Sequence, residues 1–345
     1  MRQKILILSI FSFCTLLAGA QTQNKALKSY IIGFYNLENF YDTIHQSGVN
    51  DYEYTPSGTT KWGTMKYTHK VKNMAYAISQ MPKGLTCLGV SEVENRHVLE
   101  DLVKDPSIAE HRYRIVHSDS PDRRGVDVAL LYNPSLFQLT GSKTFRLTLP
   151  SDTSFRTRDQ LLVSGIIDGE EVYILVNHWP SRSGGEEQSR PKRDAAASLA
   201  RSVCDSLFAI NPLTKIIVMG DLNDDPINES LKVYLKAKEK QSQVGAGELY
   251  NTMWELYNKG IGSLAYNDQW DLFDQIVISY GFLGNDYSTL KFRRAIVFNQ
   301  DFLKQKEGQY KGYPLRTHAG GVWLDGYSDH FPTMIYLVKE ATSKN

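Results

Sequence analysis

The chain has 345 residues, 41% hydrophobic and 22% charged, with 39 basic and 38 acidic side chains and a formal net charge of +1. That composition fits one large or two modest globular domains, and no stretch longer than the terminal "KEATSKN" resembles a disordered tail. A near-neutral surface offers no long-range attraction for a polyanion, so any such contact must come from a local basic patch. The first twenty residues read as a secretory signal peptide: basic "MRQK", apolar "ILILSIFSFCTLLAGA", and the small-x-small close "AGA". The apolar stretch is short for a transmembrane span and no second one of membrane length follows. The mature chain is therefore expected to be exported, to the periplasm or the exterior, with no membrane-spanning segment. Loss of Arg2 and Lys4 leaves 37 basic against 38 acidic side chains, a net charge of −1.

Residues 21–29 read as a short linker and 30–340 as one folded domain, since no repeat and no Pro/Gly/Ser-rich linker divides the rest. Strand-like apolar runs follow one another: "YIIGFYN", "LTCLGV", "YRIVH", "VDVALLYN", "QLLVSGII", "VYILVNH", "KIIVMG", "LFDQIVIS", "RAIVF" and "FPTMIYLV". Helical spacing is confined to "HKVKNMAYAISQM" and "RPKRDAAASLARSVCDSLFAI". Many strands joined mostly by turns predict packed β-sheets with helices on their outer faces. The segment "YDTIHQSGVNDYEYTPSGTTKWGTMKYTHK" has no periodicity and reads as a long functional or mobile loop. Trp62 and its neighbouring tyrosines are candidates there for an exposed aromatic hairpin, suited to a lipid surface or to unpaired bases. Cys87 and Cys204 read as packed small hydrophobes, and nothing requires a bridge between them.

Polar residues gather where these strands end. "IIGFYNLEN" closes on Asn36, Glu38 and Asn39, "CLGVSEVEN" on Glu92, Glu94 and Asn95, and "ILVNHWPSR" on Asn177, His178 and Arg182. "KIIVMGDLNDDP" closes on Asp221 and Asn223, with Asp224 and Asp225 reading as the start of the turn before Pro226. Asp274 opens "DQIVIS", and Asp329 and His330 precede the last strand in "SDHFP". One such end is a turn; five or six on neighbouring strands would converge on one rim of the sheets. Oxygen-rich donors suit a hard cation such as Mg²⁺, Mn²⁺ or Ca²⁺, and the scarcity of cysteine argues against a thiolate zinc site. A divalent cation beside two histidines is equipment for cleaving a phosphate ester.

The ordered set "FYNLEN", "GVSEVEN", "RRGVDVALLY", "VNHWPSR", "GDLND", "DQIVIS" and "SDHFP" resembles the DNase I-like endonuclease/exonuclease/phosphatase superfamily, from about Tyr30 to Val338. The resemblance implies an α+β fold, a four-layered α/β/β/α sandwich of two packed mixed β-sheets with outer helices. It also implies roles. Glu92 resembles the metal-binding glutamate, Asn36 the asparagine that contacts metal or scissile phosphate, and Asp329 a further metal ligand. Glu38 stands where some members have a second acidic ligand. Asp221 and Asn223 match the pair that positions attacking water and phosphate. His330 resembles the catalytic histidine, held by Asp274 as a carboxylate fixes an imidazole's tautomer. His178 matches a second histidine that contacts the phosphate, and Ser328 a supporting hydroxyl. Arg124 and Asp127 are candidates to support the site, and Arg182 and Arg316 to hold substrate phosphates in bidentate fashion.

This first set is shared by nucleases, inositol-phosphate phosphatases, sphingomyelinases and related diesterases, so it does not choose the substrate. "DDP" after the "GDLN" asparagine departs from the basic residue expected in the phosphatase branch. "NHWPSR" with "FYNLEN" resembles exported bacterial members described as endonuclease-like. The sequence-based expectation is an exported Mg²⁺-dependent phosphodiesterase, a nuclease for extracellular nucleic acid, with no obligate protein partner. A phospholipid or small-molecule phosphoesterase is the enzymatic alternative, and an inactive binding module of the same fold the other.

Overall fold

Alternation along the apolar strands decides the architecture of the computed structural model, which describes residues 26–341. The expected signal peptide and the first part of the linker lie outside the described residues. Strand β1 (Leu27–Phe40) sends Ile32 and Phe34 into one buried cluster and Ile31 and Tyr35 into another. Strand "KIIVMGD" does the same, with Ile217 and Met219 on one face and Ile216 and Val218 on the other. Strands buried on both faces lose the polar side of the usual alternation and read as unbroken apolar runs.

The strands that follow are β2 (Leu85–Val93), β3 (Arg114–His117), β4 (Asp127–Tyr132), β5 (Gln138–Phe145), β6 (Gln160–Ile167) and β7 (Glu170–His178). Next come β8 (Lys215–Asp221), β9 (Ala237–Lys238), β10 (Leu249–Asn251), β11 (Leu264–Tyr266), β12 (Gln269–Asp271) and β13 (Asp274–Ser279). The last are β14 (Lys291–Val297), β15 (His318–Ala319), β16 (Val322–Trp323) and β17 (Thr333–Glu340). One six-stranded sheet runs β14-β17-β1-β2-β4-β3, antiparallel except for β1 and β2. A seven-stranded sheet runs β5-β6-β7-β8-β13-β10-β9, with β7–β8 and β9–β10 parallel. β11–β12 and β15–β16 are separate two-stranded ribbons.

The two sheets pack on each other through Phe34, Leu130, Val176, Met219, Ile276 and Ile335. Helices α1 (Thr64–Ser79) and α2 (Arg96–Lys104) cover the outer face of the first sheet through Met74, Ile78, Leu99 and Leu102. Helix α3 (Glu186–Phe208) covers the second through Ala197, Ala200 and Cys204. A fourth short helix, α4 (Trp254–Asn258), follows β10. This is the expected α/β/β/α sandwich. Beneath the rim the sheets come very close: a Cβ on Gly89 would lie 2.5 Å from Met219 Cε.

Four local differences from the sequence reading have plain causes. Helix α1 begins at Thr64, five residues before the expected His69, with Met65 of its first turn turned to solvent, and α3 begins at Glu186, where its first turn is polar and carries no apolar stripe. Helix α2 is too short to show periodicity and is marked instead by its cap, Asn95 Oδ1 accepting from Val98 N at 3.1 Å. Strand β5 is a mostly exposed edge, so its sequence "QLTGSKTF" lacks the apolar signature. Trp62 overturns the exposed-hairpin expectation: it is fully buried, donates from Nε1 to Tyr41 O at 3.0 Å, and meets Tyr54 edge-on. Its ring fills space behind the loop and is out of reach of a base or a lipid. Cys87 and Cys204 are both buried and free, in different clusters.

Candidate active site

The sheet register itself assembles the centre. His178 at the end of β7 pairs with Asp221 at the end of β8, and Asp221 pairs with Asp274 at the start of β13. Paired residues on adjacent strands point to the same face. Two residues further in, Val176, Met219 and Ile276 line the inter-sheet core. His178, Asp221 and Asp274 therefore continue the core-facing row one step past the last apolar layer. Asn36 does the same on β1, two residues after Phe34, and its Nδ2 crosses to donate to Asp221 Oδ2 at 3.0 Å.

Glu92 reaches this row only through a distortion. Leu88 and Val90 face the helices, so plain alternation would send Glu92 there too. Instead the β2–β4 register breaks between Ser91 and Val93, and Glu92 takes a left-handed φ of 59°. A bulge re-aims a side chain in this way. Glu92 Oε1 ends 3.9 Å from His178 Nε2, and Oε2 accepts from Asn39 N at 2.8 Å. Glu38, Asn39 and Asn223 are also left-handed, at φ 48°, 51° and 52°. Such strain in non-glycine residues persists where the surroundings enforce it, and it gathers at functional sites.

His330 is held from behind. Its Nδ1 meets Asp274 Oδ2 at 2.6 Å, and the same oxygen accepts from Ser263 Oγ at 2.5 Å. Donation from Nδ1 leaves Nε2 facing the row, 3.9 Å from both Asp221 Oδ2 and Asp329 Oδ1. Burial alone would lower the imidazole's pKa, but the Asp274 carboxylate, its hydrogen bond, Asp221 and Asp329 together raise it well above the ordinary value. His178 goes the other way: burial, then Arg158, Arg124 and His330, depress it. Its Nε2 lies 3.6 Å from Asp221 Oδ2, and its buried Nδ1 has no hydrogen-bond partner. Burial also pushes the Asp221 carboxyl up, against the pull of His330. One ligand atom each from Asp221, Asp274 and His330 lie within 4.8 Å of one another. With Glu92 and Asp329 at the rim, the donors are mainly carboxylate oxygens, which fit a hard divalent cation and not a thiolate-loving one.

Most of the expected site residues meet here, and the others have work alongside. Ser328 Oγ donates to Asn36 O at 2.6 Å and accepts from His330 N at 3.1 Å, tying the last loop to β1. Asn223 lies beside Asp221, which accepts from Asn223 N at 3.1 Å, while its Nδ2 donates to Trp179 O. Arg124 Nη2 sits 3.6 Å from Glu92 Oε1. Both oxygens of Glu38 are occupied, Oε1 by Arg316 Nε at 3.0 Å and Oε2 by Thr317 N at 2.6 Å. Arg316 also donates from Nη2 to Asp329 Oδ2 at 2.8 Å. The Glu38–Arg316 pair thus anchors Asp329. Asp127 is set apart, bound to His117 Nε2 at 3.0 Å and to Ser120 N at 2.8 Å, where it fixes the loop ahead of β4. Arg182 lies behind the centre: it donates to Asn223 O, Glu186, Asp224 and Asn228, with its guanidinium 4.5 Å over the Phe273 ring.

Sequence reasoning passed over three groups. Asp224 is buried, with Oδ1 2.7 Å from Arg193 Nε and Oδ2 accepting from Ser230 Oγ at 2.7 Å, so it latches the Asp221–Asn223 loop to α3. Lys70 of α1 is buried and donates to Thr317 Oγ1 at 2.6 Å and Tyr327 O at 2.5 Å. Arg158 donates to Asp122 and to Trp179 O beneath His178. A basic residue on a helix carries no sequence mark of such burial. For Asp224 the doubled "DD" was a signal, since one acid suffices to start a turn.

Outside comparison agrees with this fold. Among solved structures, humanized D. rerio TDP2 superposes with a TM-score of 0.55 at 11% identity, over 90% of this chain and 98% of that chain. An endonuclease/exonuclease/phosphatase family protein from Bacteroides thetaiotaomicron gives 0.54 at 16% identity, over 92% and 100%. A mannosyl-6-phosphatase from Bacteroides thetaiotaomicron VPI-5482 gives 0.54 at 15%, over 89% and 99%. At such identities the likeness is one of fold. No protein with a curated description matches the sequence. The profile described as "Endonuclease/Exonuclease/phosphatase family" matches residues 31–339, nearly all of the described chain, and the protein belongs to that family.

Proposed function

We propose that this chain is an exported, divalent-metal-dependent phosphodiesterase, a nuclease acting on extracellular nucleic acid. The observation that carries the reading is the row His178–Asp221–Asp274, closed by His330 and faced by Asn36 and Glu92 from the other sheet. Glu92, Asn36 and Asp329 would hold the cation, Mg²⁺ in the first place, which offsets charge on the phosphate oxygens. Asp221 orients the attacking water and takes its proton, with Asn36 Nδ2 fixing the carboxylate. Asn223 donates to the phosphate, and His178 contacts a non-bridging oxygen. His330 presents Nε2 to the same phosphate, and Asp274, paired with Nδ1, holds the ring in that orientation. An inactive module would not be expected to keep all of these groups together.

The substrate choice is supported by D. rerio TDP2, whose structure has been solved with a single-strand DNA product. A second reading, hydrolysis of a sugar phosphate, has its support in the similar Bacteroides mannosyl-6-phosphatase. Plasmid DNA, RNA, a hexose 6-phosphate and sphingomyelin, each with Mg²⁺, Mn²⁺, Ca²⁺ or EDTA, separate these readings. Metal-dependent cleavage of nucleic acid is expected, lost in EDTA and lowered at least ~10²-fold in His330→Ala and Asp221→Asn. Intact nucleic acid beside a cleaved hexose phosphate or lipid would reject the nuclease.

A further inference from the structure

A cavity of about 420 Å³ opens directly beside the candidate centre, with Arg316 and Asp329 on its inner wall. Its outer wall is aromatic: Tyr266, Tyr310 and Tyr313. Tyr266 is 70% exposed and Tyr310 48%, more than large rings usually expose on a soluble surface. Tyr266 is presented by the β11–β12 hairpin, whose two turn residues, Asn267 and Asp268, both have positive φ (48° and 61°). A two-residue turn of that kind matches strand twist and makes a stiff support. The rings continue inward. Tyr310 meets Tyr313 at 5.6 Å, Tyr313 meets Trp270 at 5.7 Å, and Trp270 stacks on Phe331 at 6.0 Å, next in the chain to His330.

We infer that this aromatic track binds the unpaired bases flanking the scissile phosphate of a single-stranded nucleic acid. The inference rests on the phosphodiesterase reading above and names its substrate form. Near-neutral net charge leaves little affinity for phosphates alone, so strand binding has to draw on stacking, which any base can supply. The cavity wall carries no leucine, isoleucine, valine or phenylalanine, which an acyl chain would need. A cavity of this size admits a ring or two and cannot admit a stacked duplex. Asn267 and Gln305 on the wall offer amide donors and acceptors to base edges.

Binding of a fluorescent oligothymidylate to the chain in EDTA tests this without turnover, beside an abasic oligomer of equal length and charge. Tyr266→Ala and Tyr310→Ala are each expected to weaken oligothymidylate binding about 5- to 150-fold, the range that loss of one stacked base produces. The abasic oligomer should bind the wild type and both variants alike and weakly, and Tyr266→Phe should keep wild-type affinity. Equal binding of the two oligomers, unchanged affinity in both alanine variants, or displacement of the oligomer by a hexose 6-phosphate would overturn the inference. Cleavage of single-stranded DNA at an undiminished rate by both alanine variants, under subsaturating substrate, would reject the single-strand track and leave the phosphodiesterase. Tyrosine-dependent binding with no phosphodiester turnover would reject the enzyme and leave the track.

Discussion

Asp224→Ala is expected to unlatch the loop that carries Asp221 and Asn223. Asp224 Oδ1 lies 2.7 Å from Arg193 Nε, and the Arg193 side chain is wholly buried. Removing one partner of a buried ion pair leaves an uncompensated charge and costs about 3–5 kcal/mol. Arg193 keeps hydrogen bonds to Ser181 O, Ser189 Oγ and Glu186 O, which favours the lower end. The lost bond from Ser230 Oγ adds about 1 kcal/mol. Arg182 Nη2 is also near, at 3.2 Å, but its side chain is partly exposed and solvent screening makes its share small. About 4 kcal/mol corresponds to a melting temperature lowered by roughly 6 °C in a chain of this size. Turnover should fall ~10²-fold as well, because a shift of about 1 Å in a catalytic loop is enough for that. Thermal unfolding and steady-state kinetics measure the two effects. The double variant Arg193→Met, Asp224→Leu should regain at least half of the lost stability, since apolar packing replaces a buried pair well. A single variant within about 1 kcal/mol of wild type, or a double variant no better than the single, would refute the argument.

Two further outcomes are expected. Asp274→Asn keeps the shape beside His330 but weakens its hold on Nδ1, so turnover should drop ~10²–10⁴-fold for a stability loss of only about 1–3 kcal/mol; unchanged turnover would remove Asp274 from the mechanism. Asp225 has its carboxyl pushed up to about 7, first by burial and then by Asp271 and Asp224, against the Leu272 N–H and Arg182. Between pH ~4 and ~7 the folded state keeps a proton that the unfolded chain releases, so this group makes stability fall as pH rises through that window. Asp225→Asn cannot titrate, and its melting temperature should decline less from pH 4 to pH 8; parallel curves for variant and wild type would contradict the assignment.

The sequence by itself showed packed sheets through its apolar runs, resembled a four-layered sandwich family through its ordered motifs, and showed most of the centre through the polar residues that end the strands. An apolar run that ends in a polar residue of the same parity marks a core-facing row leaving the core, as with Met219 and Asp221, Val176 and His178, and Phe34 and Asn36. Strand ends of that kind are legible wherever the strand is regular. Glu92 was legible as a polar strand end and as part of a motif but not by parity, because its bulge breaks the alternation that would have placed it. Tertiary structure alone decided the pairings that hold the rim: Asp224 with Arg193, Glu38 with Arg316, Lys70 with Thr317. Those partners lie 31, 278 and 247 residues apart, and no local preference announces them. The fate of Trp62 was likewise a tertiary decision, since an aromatic in a polar loop is equally suited to capping a surface and to filling the space behind it. Periodicity is a property of one strand; a buried charge is compensated by whatever the fold brings alongside.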